Sequence, residues 1–326
     1  MSDKFDEFKL IQWIRQFNNS SKIGDDTALL NYCQQGKKLL VTADMLVENT
    51  HFLLDKISPY QLGHKTLAVN LSDIAAMGGK PRDIILSCCW SDNYTLDQIK
   101  DFFRGLYQLS SKYGVELAGG DTCRGEIIAL DLCLLGEVEA GKEVTRKGAK
   151  EGDHLIITGP VGTSAAGMEL VLGKELTTLT SKEKNELLEA HLTPEPKVVE
   201  GYELGKNELA NSMIDISDGL SNEIHHLAYN SQVGAEIYES KITFLDSVKK
   251  AAEELNKDPL DWAFEGGEDY QLLISVEEKN LDKALEVLEK SSSPQVIGRI
   301  TSREKGIRLY KDGNSYDIHR GGYSHF

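Results

Sequence analysis

Six aspartates, Asp26, Asp44, Asp73, Asp121, Asp215 and Asp218, stand at strand ends, at loop-to-helix junctions or on a polar helix face. Four of them lie next to Gly, Ser or another Asp. The stretch "IGDDTALL" (23–30) sets Asp25 and Asp26 side by side just before an apolar run. Two unit charges ~4 Å apart repel by about 4 kcal/mol at an effective dielectric of about 20, and a cation removes that cost. Carboxylates suit magnesium, a hard cation that prefers oxygen ligands, keeps several waters and usually takes one or two carboxylates per ion. Six converging aspartates would therefore imply several ions. Spacing alone does not show convergence, and each Asp also reads as a helix cap or turn former.

The glycine pairs Gly119-Gly120, before Asp121, and Gly266-Gly267, before Glu268, either let backbone approach a ligand or make tight turns. "GPVGTSAAG" (159–167) could cradle an anion at a helix N-terminus, although small residues there serve helix packing equally well. Arg146, beside Lys147, could contact phosphate oxygens bidentately or stay solvated. His51, following "ENT", either contacts a ligand or ends a strand, whereas His225 and His226 read as surface or packing residues on an amphipathic helix. The chain has no G-x-x-x-x-G-K-[ST] loop, no kinase H-R-D set and no G-x-G-x-x-G after the first strands. Phosphate chemistry here must lean on metals and carboxylates.

The elements that position these residues follow from periodicity. Residues 5–17 read as an amphipathic helix, "KKLLVTAD" (37–44) as a strand ending in an acid, and 59–78 as a helix. In that helix Leu67, Leu71, Ile74 and Ala75 recur at core spacing and leave Asn70 and Asp73 together on another face. Strands at "DIILSCCW", "VELAGGD" and "IIALDLCLLGEV" and a helix over 97–113 complete the first half. The polar, glycine-rich "GKEVTRKGAKEGD" (141–153) places a domain boundary near residue 140. Strands at "HLIITG", "SMIDI", "GAEIYES", "YQLLISV", "PQVIGRI" and "IRLYKD" then alternate with helices near 182–191, 196–206, from 218, 244–256 and 279–290. Interleaved strands and helices give an α/β or α+β class.

At 326 residues the chain exceeds the ~250–300 at which single cores tend to split, so two domains are expected. Its formal net charge of −16 argues against an extended nucleic-acid or anionic-membrane surface. No stretch reaches the ~18 uninterrupted apolar residues of a membrane span, and the first residues lack a signal-peptide core, which points to the cytoplasm. Cys33, Cys88, Cys89, Cys123 and Cys133 show no C-x-x-C spacing and an odd count, fitting reduced thiols better than disulfides or zinc.

Taken together, "IGDDTALL", "TADMLVENTHF", "LAVNLSDIAAMGGKPR", "AGGDTCRG", "VTRKGAKEGDHLIITGPVGTSAAGMELV", "IDISDGLSNEIHHLA", "FEGGEDYQLLIS" and the ending "GGYSHF" resemble the thiamine-monophosphate kinases. These belong to the superfamily of aminoimidazole ribonucleotide synthetase and selenophosphate synthetase. The resembling stretches run in order from about residue 22 to the last residue. The resemblance implies an α/β (α+β), two-domain architecture like that of aminoimidazole ribonucleotide synthetase. Residues 1–140 would bind metal and ATP and pair with a second copy, and 141–326 would complete an active site between the domains. It implies transfer of the γ-phosphoryl group of ATP to thiamine monophosphate with several Mg²⁺ ions, in a cytoplasmic homodimer without nucleic-acid or membrane partners.

Residue by residue, the resemblance puts metal ligands at Asp26, Asp44, Asp73, Asp121, Asp215 and Asp218, with Thr42 contributing, and leaves Asp25 to shape the turn. ATP contacts fall on Gly120, Asp121, Arg146 and Ser217, and thiamine phosphate contacts on His51, Glu268 and Tyr323, whose ring could face the thiazolium. Asp44, Asp73, Arg146 and Asp218 carry the catalytic expectation. Two positions depart from the family pattern: Ala43 replaces a frequent Thr or Ser, and Lys197 stands where Arg is frequent. The rivals are another ATP-dependent enzyme of the superfamily or a non-catalytic module that binds thiamine phosphates or nucleotide. Cys33 follows the "GDD" segment, unlike the early reactive residue of selenophosphate synthetases, and the "YSHF" ending lacks the terminal cysteine of hydrogenase-maturation relatives.

Overall fold

The computed structural model describes residues 28–30 and 36–322. The helix expected at 5–17, Asp25, Asp26, Cys33 and Tyr323 lie outside the described residues. The first half contains β1 (Ala28–Leu30), β2 (Lys37–Val47), α1 (Pro59–Ala76), β3 (Lys80–Ser91), α2 (Leu96–Tyr113), β4 (Glu116–Gly125) and β5 (Ala129–Glu139). They form a five-stranded sheet in the order β1-β2-β5-β3-β4. Only the β3–β4 pairing is parallel. Side-chain alternation sends Leu40, Leu46, Ile84, Leu86, Leu130, Leu132 and Leu134 to the helix-covered face and leaves Met45 and Ile85 exposed on the other.

Two of the expected strand ends move. β2 pairs with β5 in one unbroken ladder from Lys37↔Glu139 to Val47↔Ala129, so Asp44 is internal to the strand. β4 likewise continues past Asp121 to Gly125 because it follows β3 in parallel register. Local sequence suggested a stop at each acid, but cross-strand hydrogen bonds decide strand length.

α1 begins at a capping box in which the Ser58 hydroxyl accepts from the Gln61 N–H and the Gln61 side chain returns to the Ser58 N–H, with Pro59 in the first turn. It is buried nearly all round, Leu67, Leu71, Ile74 and Ala75 being wholly inaccessible. That burial is possible because α1 lies between the two halves.

The second half contains β6 (His154–Ile157), α3 (Thr163–Val171), α4 (Ser181–Leu192), α5 (Val198–Lys206), β7 (Ser212–Ile216), α6 (Leu220–Ser231), β8 (Gly234–Tyr238), α7 (Asp246–Leu255), α8 (Pro259–Glu265), β9 (Gln271–Val276), α9 (Leu281–Leu288), β10 (Gln295–Thr301), β11 (Ile307–Lys311) and β12 (Asn314–Asp317). The strands form one mixed sheet, β12-β11-β8-β10-β6-β9-β7. β1, α8 and β12 were not foreseen; each spans at most seven residues, too short for periodicity to register. Leu155 and Ile157 face a core shared with α6 and α8, while Ile156, Met213, Leu272 and Ile274 face the opposite side. This second cluster is continuous with Leu71, Ile74 and Leu134, so an apolar core runs through α1 from one sheet to the other.

Among the described residues no helix is long and apolar enough to cross a membrane. Cys88, Cys89, Cys123 and Cys133 are free thiols.

Candidate active site

Both sides of α1 are tied to polar groups. Toward the first sheet, the Asn70 carbonyl accepts the Asp44 N–H at 3.1 Å, and the Thr42 hydroxyl donates to Asp73 Oδ2 at 2.5 Å. Toward the second half, the Ser72 hydroxyl donates to Asp215 Oδ2 at 2.7 Å, and Lys65 Nζ lies 3.0 Å from Glu268 Oε1 and 3.1 Å from Oε2. Asn70 and Asp73 do share one face, as helical spacing requires. Lys65 and Ser72, two turns apart, supply the other.

Asp215 is penultimate in β7 and only 3% exposed. Asp218 follows in the turn before α6, where its N–H points to Glu223 Oε1 at 3.3 Å. Burial pushes the Asp44 carboxyl up to about 6; Asp73 opposes the shift by a hydrogen bond, while the charges of Asp218 and Asp131 add to it. The buried Tyr270 hydroxyl is held well above its ordinary range by burial and then by the negative charge of Glu268, Asp44, Asp215 and Asp218. One phenol thus feels carboxylates from both halves, Asp44 from the first and Glu268, Asp215 and Asp218 from the second.

Asp121 stands apart. It is exposed on β4, its carboxylate accepts the Thr122 N–H at 2.8 Å, and it pairs in register with Ser87, on the open side of the sheet opposite to Asp44. The neighbouring glycines have packing reasons of their own. A Cβ at Gly120 would lie 1.9 Å from the Leu86 carbonyl oxygen, and one at Gly267 would lie 2.5 Å from that of Ser217.

Glu268 sits in a left-handed conformation (φ 66°), as does Tyr270 (φ 48°). Its N–H donates to the Ser217 carbonyl at 2.7 Å, so Ser217 is fixed by backbone beside the cleft. Burial would raise the Glu268 carboxyl, but Lys65, then His191, and more weakly His51 hold it below the usual range. His51 is oriented by its own turn: Nδ1 accepts the Val47 N–H at 3.0 Å, leaving the proton on Nε2. Arg146 lies in the segment joining the halves, its carbonyl accepting from Ser231 at 3.2 Å. Gly322 lies here as well, since a Cβ there would meet the Asp218 carbonyl at 2.2 Å.

The turn before α3 does hold an anion, but one the chain supplies. The Asp269 carboxylate accepts the N–H groups of Gly162 at 2.5 Å and Ser164 at 3.0 Å. Burial pushes Asp269 up to about 7 in spite of these donors. An internal carboxylate therefore occupies the place that the glycine-rich segment seemed to offer a phosphate.

Lys65, Ser72, His191 and Tyr270 escaped sequence reasoning. For Lys65 the signal was a charged residue interrupting the apolar period of α1 without breaking the helix.

His191 gives a pH prediction. Burial, reinforced by Lys65 and opposed by Glu268, lowers it from 6.5 to about 4. The unfolded chain then binds more protons than the folded one between those values, so stability contributed by neutral His191 is complete above pH 6.5 and is lost as pH falls toward 4. The lost amount is about 3 kcal/mol at most. His191→Gln should shallow the acid-side decline of the melting temperature, and parallel declines in both proteins would count against this role.

The fold defines a two-domain protein of the AIR synthase class. Residues 24–138 match the family described as AIR synthase related protein, N-terminal domain, and residues 150–311 match its C-terminal domain counterpart. A curated relative, thiamine-monophosphate kinase of Escherichia coli (strain K12), is 38% identical over 309 residues, 93% of this chain and 91% of that one. The one from Aquifex aeolicus is 35% identical over 98% of both. The solved structure "AaThiL complexed with AMPPCP and TMP" superposes with TM-score 0.88 at 33% identity, covering 100% of this chain and 99% of the other. At 19% identity and TM-score 0.76, the HypE-HypF complex shares the fold alone. The chain belongs to the thiamine-monophosphate kinase family, and as a member of it is an enzyme of the kinase class.

Proposed function

We propose that this protein transfers the γ-phosphoryl group of ATP to thiamine monophosphate, giving thiamine diphosphate and ADP, by direct in-line transfer assisted by Mg²⁺. The observation that carries the reading is that α1 gathers acids of both halves, Asp73 bonded to Thr42 and Asp215 to Ser72, in a chain 38% identical to a curated thiamine-monophosphate kinase.

The donor set fits magnesium. Asp44 is half-buried, and desolvation with the added charges of Asp218 and Asp131 pushes its carboxyl up to about 6, a cost that bound cations relieve. Among the described residues no three His, Cys, Asp or Glu side chains gather tightly enough to hold one ion. Magnesium takes one or two carboxylates and completes its shell with water and phosphate oxygens. Asp44, Asp73, Asp215 and Asp218 would hold the ions, joined by Thr42 and by Asp26 outside the described residues, while Asp121 faces the other side of the sheet and would hold a cation there. Bound there, Mg²⁺ supplies charge neutralisation between two polyanions and a template for in-line displacement.

The chain's own residues do the rest. Arg146, Gly120, Asp121 and Ser217 contact ATP, the arginine through phosphate oxygens. His51 and Glu268 contact thiamine monophosphate, and Tyr323 presents its ring to the thiazolium. The nucleophile is a phosphate oxygen already ionised near neutrality, since a phosphomonoester has its second pKa at about 6. No side chain is needed as general base, and no phosphoenzyme forms. The exposed face of the first sheet, with Met45 and Ile85 solvent-facing, supports pairing with a second copy, which sedimentation tests. Free thiols support a cytoplasmic setting.

The deciding experiment is product analysis with ATP, excess magnesium and thiamine monophosphate, omitting the acceptor in one control and replacing it by thiamine in another. Thiamine diphosphate and ADP should appear together, only with the monophosphate. ADP without thiamine diphosphate would move the acceptor elsewhere in the superfamily, and no ATP consumption would leave a binding module.

A further inference from the structure

Lys65 is 1% exposed, yet its ammonium lies between two halves of the molecule, 3.0 Å from one Glu268 oxygen and 3.1 Å from the other. Only the lysine is fully buried, the Glu268 side chain keeping 28% of its exposure, and desolvating the ammonium offsets much of the attraction. Its acidic partner has a left-handed backbone, and so does Tyr270 two residues on. Such conformations persist only where the surroundings over-determine them. Glu268 is over-determined on two sides: its N–H is held by the Ser217 carbonyl at 2.7 Å, and its carboxylate by the Lys65 ammonium at 3.0 Å. The same 266–270 loop abuts Ser217, so its position sets that of the Ser217–Asp218 turn.

We propose that Lys65 is a positioning residue: by clasping Glu268 it fixes the 266–270 loop against α1 and so sets the spacing between Asp44 and Asp73 on one side of the cleft and Asp215 and Asp218 on the other. The proposal rests on the cation-binding reading given above and assigns the clasp as what makes that site of one geometry. Ser72, on the same side of α1, anchors Asp215 directly at 2.7 Å, and Lys65 anchors the loop beside it.

A purely electrostatic role and a positioning role predict opposite signs. Lys65→Met removes a positive charge near the carboxylates, which by Coulomb attraction alone would tighten binding of a divalent cation. Loss of positioning would weaken it. The test is calorimetric titration of the full-length protein with Mn²⁺ alone, in wild type, Lys65→Met and the double variant Lys65→Met/Glu268→Gln. The double variant leaves local net charge unchanged and strands no buried carboxylate, so it keeps the test open if Lys65→Met does not fold.

Mn²⁺ affinity is expected to fall about tenfold in the folded variants. Lys65→Arg, which keeps the charge, should recover part of it. Unchanged or tighter Mn²⁺ binding in the double variant would overturn the proposal. Wild-type turnover of thiamine monophosphate is measured alongside. Its absence would sink the functional reading while the Mn²⁺ titrations still decide the clasp.

Discussion

Asp73→Asn and Asp215→Asn should each lower kcat by about a hundredfold or more, which corresponds to roughly 3 kcal/mol of transition-state stabilisation, while the protein stays folded. Both substitutions keep shape and an acceptor oxygen, so the Thr42 hydroxyl can still donate to residue 73 and the Ser72 hydroxyl to residue 215. What disappears is one negative charge, from half-buried Asp73 or from buried Asp215. If these carboxylates served structure, their loss would lower the melting temperature. If they serve cations, relief of like-charge repulsion should leave melting in metal-free buffer unchanged or slightly raised, while turnover collapses. Steady-state kinetics at saturating and limiting magnesium, paired with thermal melts in chelator, read both quantities. Near-normal kinetics in both variants at limiting magnesium would remove the metal assignment.

The largest expected effect on stability lies where α1 meets α2. A Cβ at Gly105 would fall 1.8 Å from the Tyr60 carbonyl oxygen, and one at Gly63 would fall 1.9 Å from that of Phe102. The helix backbones touch at reciprocal glycines, and neither carbonyl can swing aside without leaving its helix. Gly105→Val should therefore cost about 3 kcal/mol or more, lowering the melting temperature by on the order of 10 °C. Because α1 carries Lys65, Asn70, Ser72 and Asp73, displacing it would also misplace the cleft, so activity per folded molecule should fall. A melting curve like that of wild type would show that the helices can separate at little cost.

Much of the architecture was legible because apolar periodicity is a local property. Leu67, Leu71 and Ile74 announce α1, "SMIDI" coincides with β7, and Leu220, Ile224 and Leu227 mark the face that α6 buries. Strand lengths were less legible. Asp44 and Asp121 read as ends but lie within ladders, since whether an acid continues a strand depends on the neighbour that pairs with it. The glycine-rich turn before α3 was chemically ambiguous until Asp269, more than a hundred residues away, filled it.

Of the site, the sequence by itself determined the acidic inventory, the placement of Asn70 and Asp73 on one side of a helix, the lack of the usual nucleotide loops and the family resemblance. These are matters of residue type, spacing and order. Tertiary structure alone decided that Asp44, Asp215, Asp218 and Glu268, from both halves, bear on the Tyr270 phenol, with Asp121 on the far side of the sheet from Asp44. It also decided that Lys65 and Ser72 bridge the halves. Convergence of side chains far apart in sequence is set by how two apolar faces pack on one helix, and no local pattern encodes that distance.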